Sequence, residues 1–242
     1  MHYDYYECPE CAMLFTSGVD TSSLIDSYES APLDASLESR FAAKTYGRLV
    51  IDTLRRVPYS VLDVGCGDGA FLSLMGDFGS QVIHGVEPSR DAASQCLDPR
   101  VEFKSATLDN LEPSLKYDAV CLFQTIEHVQ DPKNLIRQLA TRMKADGSLF
   151  VICHDRLSPV NRVLGSRSPI FDIEHLQIFT TAGIRLLVET CGLQVTTLQR
   201  FTNRYPLSYA MRLALPAFGA PAWTTKISVP VPAGNLFLRA IA

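Results

Sequence analysis

Three glycines at alternate positions, Gly65, Gly67 and Gly69, stand in the stretch VLDVGCGDGAFL directly behind an apolar run. Glycine removes the Cβ, so the backbone can turn tightly and approach a ligand closely. A loop of this kind between a strand and a helix cradles a nucleoside-bearing cofactor. Glu87, in the later stretch HGVEPS, supplies what such a cofactor needs next. A carboxylate at the end of the second strand can accept hydrogen bonds from both ribose hydroxyls. The spacing alone leaves the cofactor open, because Gly65, Gly67 and Ala70 also satisfy the relaxed dinucleotide pattern. Two histidines are the other candidates for chemistry: His128, which follows Glu127, and His175 in DIEHLQIF. Imidazole titrates near neutral pH and can take a proton from a hydroxyl or an amine. Glu127 and His128 can equally brace their own loop by hydrogen bonds.

The elements that must hold these residues alternate along the chain. Residues 33–56 carry apolar positions at helical spacing, interrupted only by Gly47. Beyond Pro58 come the apolar runs SVLDVG, QVIHGVE, VEFKSA, YDAVCLF and SLFVICH, with helical patterns beginning at Ala70 and Arg90 and another spanning Pro132 to Lys144. Asp146-Gly147 reads as the stop of that last helix, and TTAGIRLLVETCGLQVTTLQRF as a helix, a Gly192 stop and a further strand. The alternation predicts an α/β fold with a doubly wound, mostly parallel sheet. The stretch from His154 to Phe179 shows no periodicity and reads as a long loop, either functional or partly disordered.

VLDVGCGDGAF, VEPS and YDAVCLFQTIEHVQDP resemble, in that order, three signatures of class I S-adenosylmethionine-dependent methyltransferases, and GSLFVICHD, EHLQIFTTAGIRLLVETCGLQV and NLFLRAIA are similar to the later landmarks of one broad subgroup. The resemblance covers about residues 60–242 and implies a Rossmann-like sheet of seven strands, the last antiparallel. Carried over by position, it implies that Asp63, Gly65, Cys66 and Gly67 shape the methionine end of the cofactor site. Glu87 would hold the ribose, with Pro88 beside the adenine. Thr107 and Leu108 would line the adenine pocket, without the acidic residue often found there, and Gln124 would sit near the methionine portion. Glu127, His128 and His175 would face the sulfonium methyl group, with His175 favoured as the base and Tyr28, Tyr46 and Asn203 on the acceptor side.

Some members of the subgroup bind a divalent ion through ExxEH and a distant histidine. Here the first position is Gln124, a neutral and weak ligand for a hard cation, so no metal is expected. YYECPECAMLF resembles one knuckle of a zinc ribbon; with no second CxxC and only His2 nearby it reads either as a degenerate remnant or as half of a site that two chains share, in an N-terminal extension of residues 1–32 ahead of a methyltransferase domain over 33–242. A redox role for Cys8 and Cys11 lacks a thioredoxin-like context. The apolar, proline-broken stretch 205–223 reads as a cap, within an insertion over 205–233, that packs on the domain or in a homodimer; a greasy lid for a lipid-linked acceptor or a peripheral membrane contact is the sharper alternative.

Composition narrows the class further. At 242 residues and 47% hydrophobic content the chain can bury a full core. Its formal charge of −4 and lack of a basic cluster argue against nucleic acid as a partner. Seven scattered cysteines read as reduced thiols, no apolar run reaches the roughly 18 residues of a spanning helix, and the first residues lack a signal-peptide layout, so a cytoplasmic location is expected. The functional expectation is therefore methyl transfer from S-adenosylmethionine to oxygen or nitrogen of a small or lipid-linked acceptor. A cofactor-binding protein without catalysis and an NAD(P)-dependent oxidoreductase are the alternatives.

Overall fold

The computed structural model describes residues 4–17, 36–105, 107–171, 175–208, 211 and 226–242. Short apolar runs become the strands of one large sheet: β3 Ser60–Val64, β4 Val82–Val86, β5 Val101–Ser105, β6 Tyr117–Phe123, β7 Met143–His154, β9 Gln194–Pro206 and β10 Ser228–Ile241. Their order is β5-β4-β3-β6-β7-β10-β9. β3 pairs in parallel with β4 and β6, β4 with β5, and β6 with β7, while β10 runs antiparallel to both β7 and β9. The mostly parallel, doubly wound sheet with its last strand reversed is thus the observed architecture.

Residues alternate across the sheet with the strand period of two. Val61, Ala119, Cys121, Phe150, Ile152 and Phe237 pack on one face against α1 (Ser36–Leu54) and α2 (Ala70–Phe78). Leu62, Val120, Leu122, Val151, Leu236 and Leu238 pack on the other against α4 (Pro132–Thr141) and α6 (Thr181–Glu189), the short α3 (Arg90–Ser94) lying between β4 and β5. All five residues of β3 are buried, as expected of a strand covered on both faces.

Three boundaries differ from the sequence expectation. The helix read as running to Lys144 ends at Thr141, and Asp146 and Gly147 lie inside β7. The reason is close backbone approach: Met143 pairs with Tyr117, and a Cβ on Gly147 would stand 2.7 Å from the Tyr117 carbonyl oxygen. This glycine makes room for an irregularity in the ladder instead of ending a helix. Second, the segment between His154 and Phe179 is not one long loop. It holds α5 (Pro159–Leu164), capped by Ser158, and β8 (Gln177–Ile178), both too short to show a period. Third, β10 begins at Ser228, inside the insertion expected over 205–233. Pro230 falls where β10 pairs with β9 alone, so its missing N–H leaves β7 unaffected.

The N-terminal extension is docked to the domain. β1 (Tyr6–Glu7) and β2 (Leu14–Phe15) form a hairpin whose second strand pairs with β8. Its turn holds Cys8 and Cys11, both free thiols. Thr180 Oγ1 donates to the Cys11 carbonyl at 2.6 Å, Arg156 pairs with Glu7 at 2.8 Å, and Tyr5 OH donates to the His175 carbonyl at 2.7 Å. No described helix is long and apolar enough to cross a membrane. Tyr28, His2 and most of the expected cap over 205–223 lie outside the described residues.

At the amino end of the sheet, Asp118 ties β6 to β3. Its Oδ2 accepts from Ser60 N at 2.8 Å, Ser60 Oγ at 2.7 Å and Lys144 Nζ at 2.9 Å. Burial alone would raise this carboxyl, but the Ser60 bonds and Lys144 hold it at about 2. A depressed carboxyl contributes stability above its unfolded value and loses it as the pH falls toward the folded one. Asp118→Asn is therefore expected to cost about 2 kcal/mol in urea unfolding at pH 7, with the difference from wild type shrinking between about pH 4 and pH 2. A cost independent of pH would contradict the assignment.

Candidate cofactor and acceptor site

The chain leaves β3 toward β4 on one side and returns to β6 on the other, so the switch point lies between β3 and β6, where open α/β sheets bind ligands. The loops after these two strands meet there. Gly65 has φ +76° and donates its N–H to the Val86 carbonyl at 2.8 Å; a Cβ on it would lie 2.3 Å from Thr125 Oγ1. Gln124, a residue with a full side chain, is itself held at φ +53°. Backbone in this region is costly for such a residue, and its N–H bond to the Ile152 carbonyl at 2.8 Å helps hold it there.

Two cavities open on either side of this contact and share Gly65 and Gln124 as walls. The larger, about 610 Å³, is lined by Glu87, Pro88, Thr107, Leu108 and His128, with Asp109 and α4 residues completing it. The smaller, about 250 Å³, is lined by Asp63, Cys66, Phe71 and Phe123, with Tyr46 and Tyr205 on its aromatic side. Glu87 clamps the glycine loop: its two carboxylate oxygens accept from Gly67 N at 2.8 Å and Ser89 N at 2.9 Å. Asp63 is 4% exposed, and its Oδ1 has no hydrogen-bond partner. Burial, and after it the charge of Glu87, pushes the Asp63 carboxyl well up. Burial likewise raises the Cys66 thiol, so that sulfur is a neutral wall.

The histidines form a cluster. The His128 and His175 ring centroids are 4.8 Å apart, and those of His154 and His175 5.4 Å. His128 lines the larger cavity, whereas His175 is buried, with Nδ1 2.9 Å from the Ile170 carbonyl oxygen. Burial, reinforced by His128, pushes the His175 imidazole down. Glu127, expected to face the methyl group, is instead 1% exposed and turned onto His154: its Oε1 accepts from His154 N at 2.7 Å and lies 3.1 Å from His154 Nδ1. Asn203 is fully buried and donates to Tyr205 OH at 3.0 Å and Tyr46 OH at 3.4 Å, so it acts on the small cavity through these tyrosines.

Sequence reasoning missed three residues here. Asp109 brings a carboxylate to the larger cavity two positions beyond Thr107, where it accepts from Gln138 Nε2 at 2.8 Å. Thr125 packs on Gly65, and His154 was hidden as the last residue of an apolar strand. Among the described residues no three His, Cys, Asp or Glu side chains converge as a metal site.

A doubly wound sheet with a glycine loop at its switch point and a carboxylate beyond the second strand defines a nucleoside-cofactor-binding α/β protein. A family model described as a methyltransferase domain matches residues 37–198, and the chain belongs to that family. It is similar to the mitochondrial ubiquinone biosynthesis O-methyltransferase of Dictyostelium discoideum, with 29% identity over 126 residues, covering 44% of this chain and 39% of that protein. The Homo sapiens protein of the same name is 32% identical over 102 residues, covering 38% and 27%. The match thus spans well under half the length of these relatives. Among solved structures, the plantazolicin methyltransferase BpumL, crystallised with a pentazolic desmethylPZN analog and SAH, aligns over 90% of this chain and 94% of its own with a TM-score of 0.63 at 19% identity, a likeness of fold.

The Gly65–Thr125 contact is directly testable. Gly65→Ala should cost about 1–2 kcal/mol from the left-handed backbone alone, and more from the clash. Adding Thr125→Ala should recover part of the loss, with a favourable coupling of at least about 0.5 kcal/mol in a double-mutant cycle on thermal unfolding. Strictly additive costs would mean that the two loops do not touch.

Proposed function

We propose that this protein transfers the methyl group of S-adenosylmethionine to a hydroxyl or amine of a small or lipid-linked acceptor. The observation that carries the reading is the pair of cavities meeting at Gly65 and Gln124, with Glu87 in the wall of the larger and the buried Asp63 in the wall of the smaller. The residues fit the cofactor. Glu87 spends one lone pair of each oxygen on the loop and keeps others for ribose hydroxyls. Pro88, Thr107 and Leu108 offer a largely apolar surface for adenine. The unpartnered, buried Asp63 Oδ1 suits the ammonium of the methionine portion, whose positive charge would return the carboxyl to its ionised form.

The cofactor supplies an electrophilic methyl group and a neutral leaving sulfur. The chain's share is to align the acceptor for in-line displacement, to exclude water and to take up a proton where the acceptor carries one. The ubiquinone biosynthesis O-methyltransferases among the relatives support a small acceptor. The Cys8–Cys11 turn is, in this reading, a structural remnant that fastens the hairpin.

In calorimetry, S-adenosylhomocysteine should bind, and Glu87→Ala should weaken it by about 1.5–3 kcal/mol, the range for hydrogen bonds to a charged group. Tighter binding of NAD would overturn the assignment in favour of an oxidoreductase. Incubating the protein with methyl-labelled S-adenosylmethionine and a small-molecule cell extract, then following label by mass spectrometry, separates an enzyme from a cofactor-binding protein. Label should pass to an acceptor and continue to do so after exhaustive chelation of divalent ions, since Gln124 replaces a carboxylate ligand. Loss on chelation with recovery on adding magnesium would show that a metal is needed.

A further inference from the structure

We infer that the side-chain oxygen of Gln124 receives the sulfonium centre of the cofactor and so sets a preference for the charged methyl donor over the neutral product. The inference rests on the methyltransferase reading and adds to it the residue that tells these two ligands apart. Position selects Gln124 first. The larger and smaller cavities have two walls in common, Gly65 and Gln124, and Gly65 carries no side chain. In a cofactor whose adenosine half lies in the larger cavity and whose methionine half lies in the smaller, sulfur is the atom that joins the halves. It therefore passes the one side chain that borders both cavities.

The amide is held by its nitrogen. Nε2 donates to Asn235 Oδ1 at 3.3 Å, and Asn235 is itself fully buried in β10, between β7 and β9. Burial, and after it the charge of Tyr205, pushes the Tyr46 phenol up, while hydrogen bonds from Gln124 and Asn203 pull it back. A bond that favours the phenolate comes from a donor, so it too belongs to the amide nitrogen. Turning the amide over would set Oε1 against Asn235 Oδ1, one acceptor facing another. In the orientation observed, Oε1 is buried and has no hydrogen-bond partner among the described residues. Such an acceptor has lost water without gaining a donor, which costs free energy until a positive group arrives. The backbone adds to that cost, because Gln124 is held at φ +53°. Strain and an orphaned acceptor fall together on the residue at the junction.

The neighbouring walls also suit a cation. Phe123 meets Phe71 with ring centroids 4.9 Å apart and Tyr46 at 5.1 Å, and all three line the smaller cavity. Aromatic faces attract a positive centre. Asp63 and Glu87 meet the ammonium and the ribose, which donor and product share, so neither carboxylate separates the two. The ligands differ by one methyl group and one positive charge, both on sulfur. When the methyl leaves, the electron pair of the C–S bond stays on sulfur, the sulfonium becomes a neutral thioether, and the attraction to Oε1 is lost. Because the charge fades along the reaction, the contact serves the choice of cofactor and the release of product instead of lowering the chemical barrier.

Competition calorimetry on the full chain tests this with S-adenosylmethionine, with S-adenosylhomocysteine, and with sinefungin, in which a protonated amine on carbon replaces the methylsulfonium. The wild type should bind the two cations about tenfold more tightly than the neutral product, the lower end of what a contact with a charged group contributes. Gln124→Met keeps the length of the side chain and removes its oxygen. It should bring the ratio down to about threefold, the share left to the aromatic rings, with the loss falling on the two cations and little of it on S-adenosylhomocysteine. Asn235→Ala leaves Gln124 in place and frees its amide, so it should lower the ratio as well; it is the second arm should methionine fail to fold on the left-handed backbone of position 124. A wild type that binds S-adenosylhomocysteine as tightly as the cations would overturn the inference whatever the variants do. So would an unchanged ratio in either folded variant, including an equal loss of all three ligands, which is what a merely structural role predicts. Failure of the wild type to bind any of the three would instead remove the cofactor reading itself.

Discussion

The close approach of two loops at the sheet's switch point is the constraint on which the site depends. Gly65 can lie against Thr125 because it has no side chain and can adopt a left-handed backbone, and Gln124 accepts the same region of φ one residue before Thr125. A bulkier residue at 65 would push the β3 loop away from the β6 loop and merge two cavities that now differ in size and lining. The sheet order makes this contact possible, since only β3 and β6 are both neighbours and the ends of opposite windings.

Around that contact three carboxylates are kept from bulk water in different ways, and each way defines a role. Glu87 is spent partly on backbone N–H groups, so it shapes the glycine loop while keeping lone pairs for a ligand. Asp63 is buried with one oxygen unpartnered, a state that costs free energy until a donor or cation arrives. Glu127 has its partner inside the protein, in His154. The N-terminal hairpin matters for the same region. It pairs with β8 and holds the His175 carbonyl through Tyr5, so the extension reaches the histidine cluster through the backbone.

Much of this was legible in the sequence because the signals are local. Strands β3 to β6 read as short apolar runs between helical patterns; Gly65 and Glu87 fall at strand ends that point to the crevice, while Thr107, Leu108 and Gln124, which line the same cavity, came only with the resemblance to methyltransferases. What escaped was decided by contacts remote in sequence. Gly147 looks like a helix stop until Tyr117 is seen beside it. The bond from Thr180 to Cys11 spans 169 residues, so nothing near the CxxC motif could announce that the hairpin docks. His154 ends the apolar run SLFVICH, and its partner Glu127 lies 27 positions earlier. The expectation that Glu127 faces the ligand failed for the same reason: the spacing of EH in a loop says nothing of which way the carboxylate turns.

The central claim is that adenosine and methionine portions of one cofactor occupy the two cavities on either side of Gly65. Intermolecular nuclear Overhauser effects in the complex with S-adenosylhomocysteine measure this most directly. The account predicts contacts from the adenine protons to Leu108 methyls and from the homocysteine methylenes to Phe71 and Ala42, the walls of the larger and smaller cavities. Adenine contacts to Phe71 and Tyr46, with none to Leu108, would contradict it.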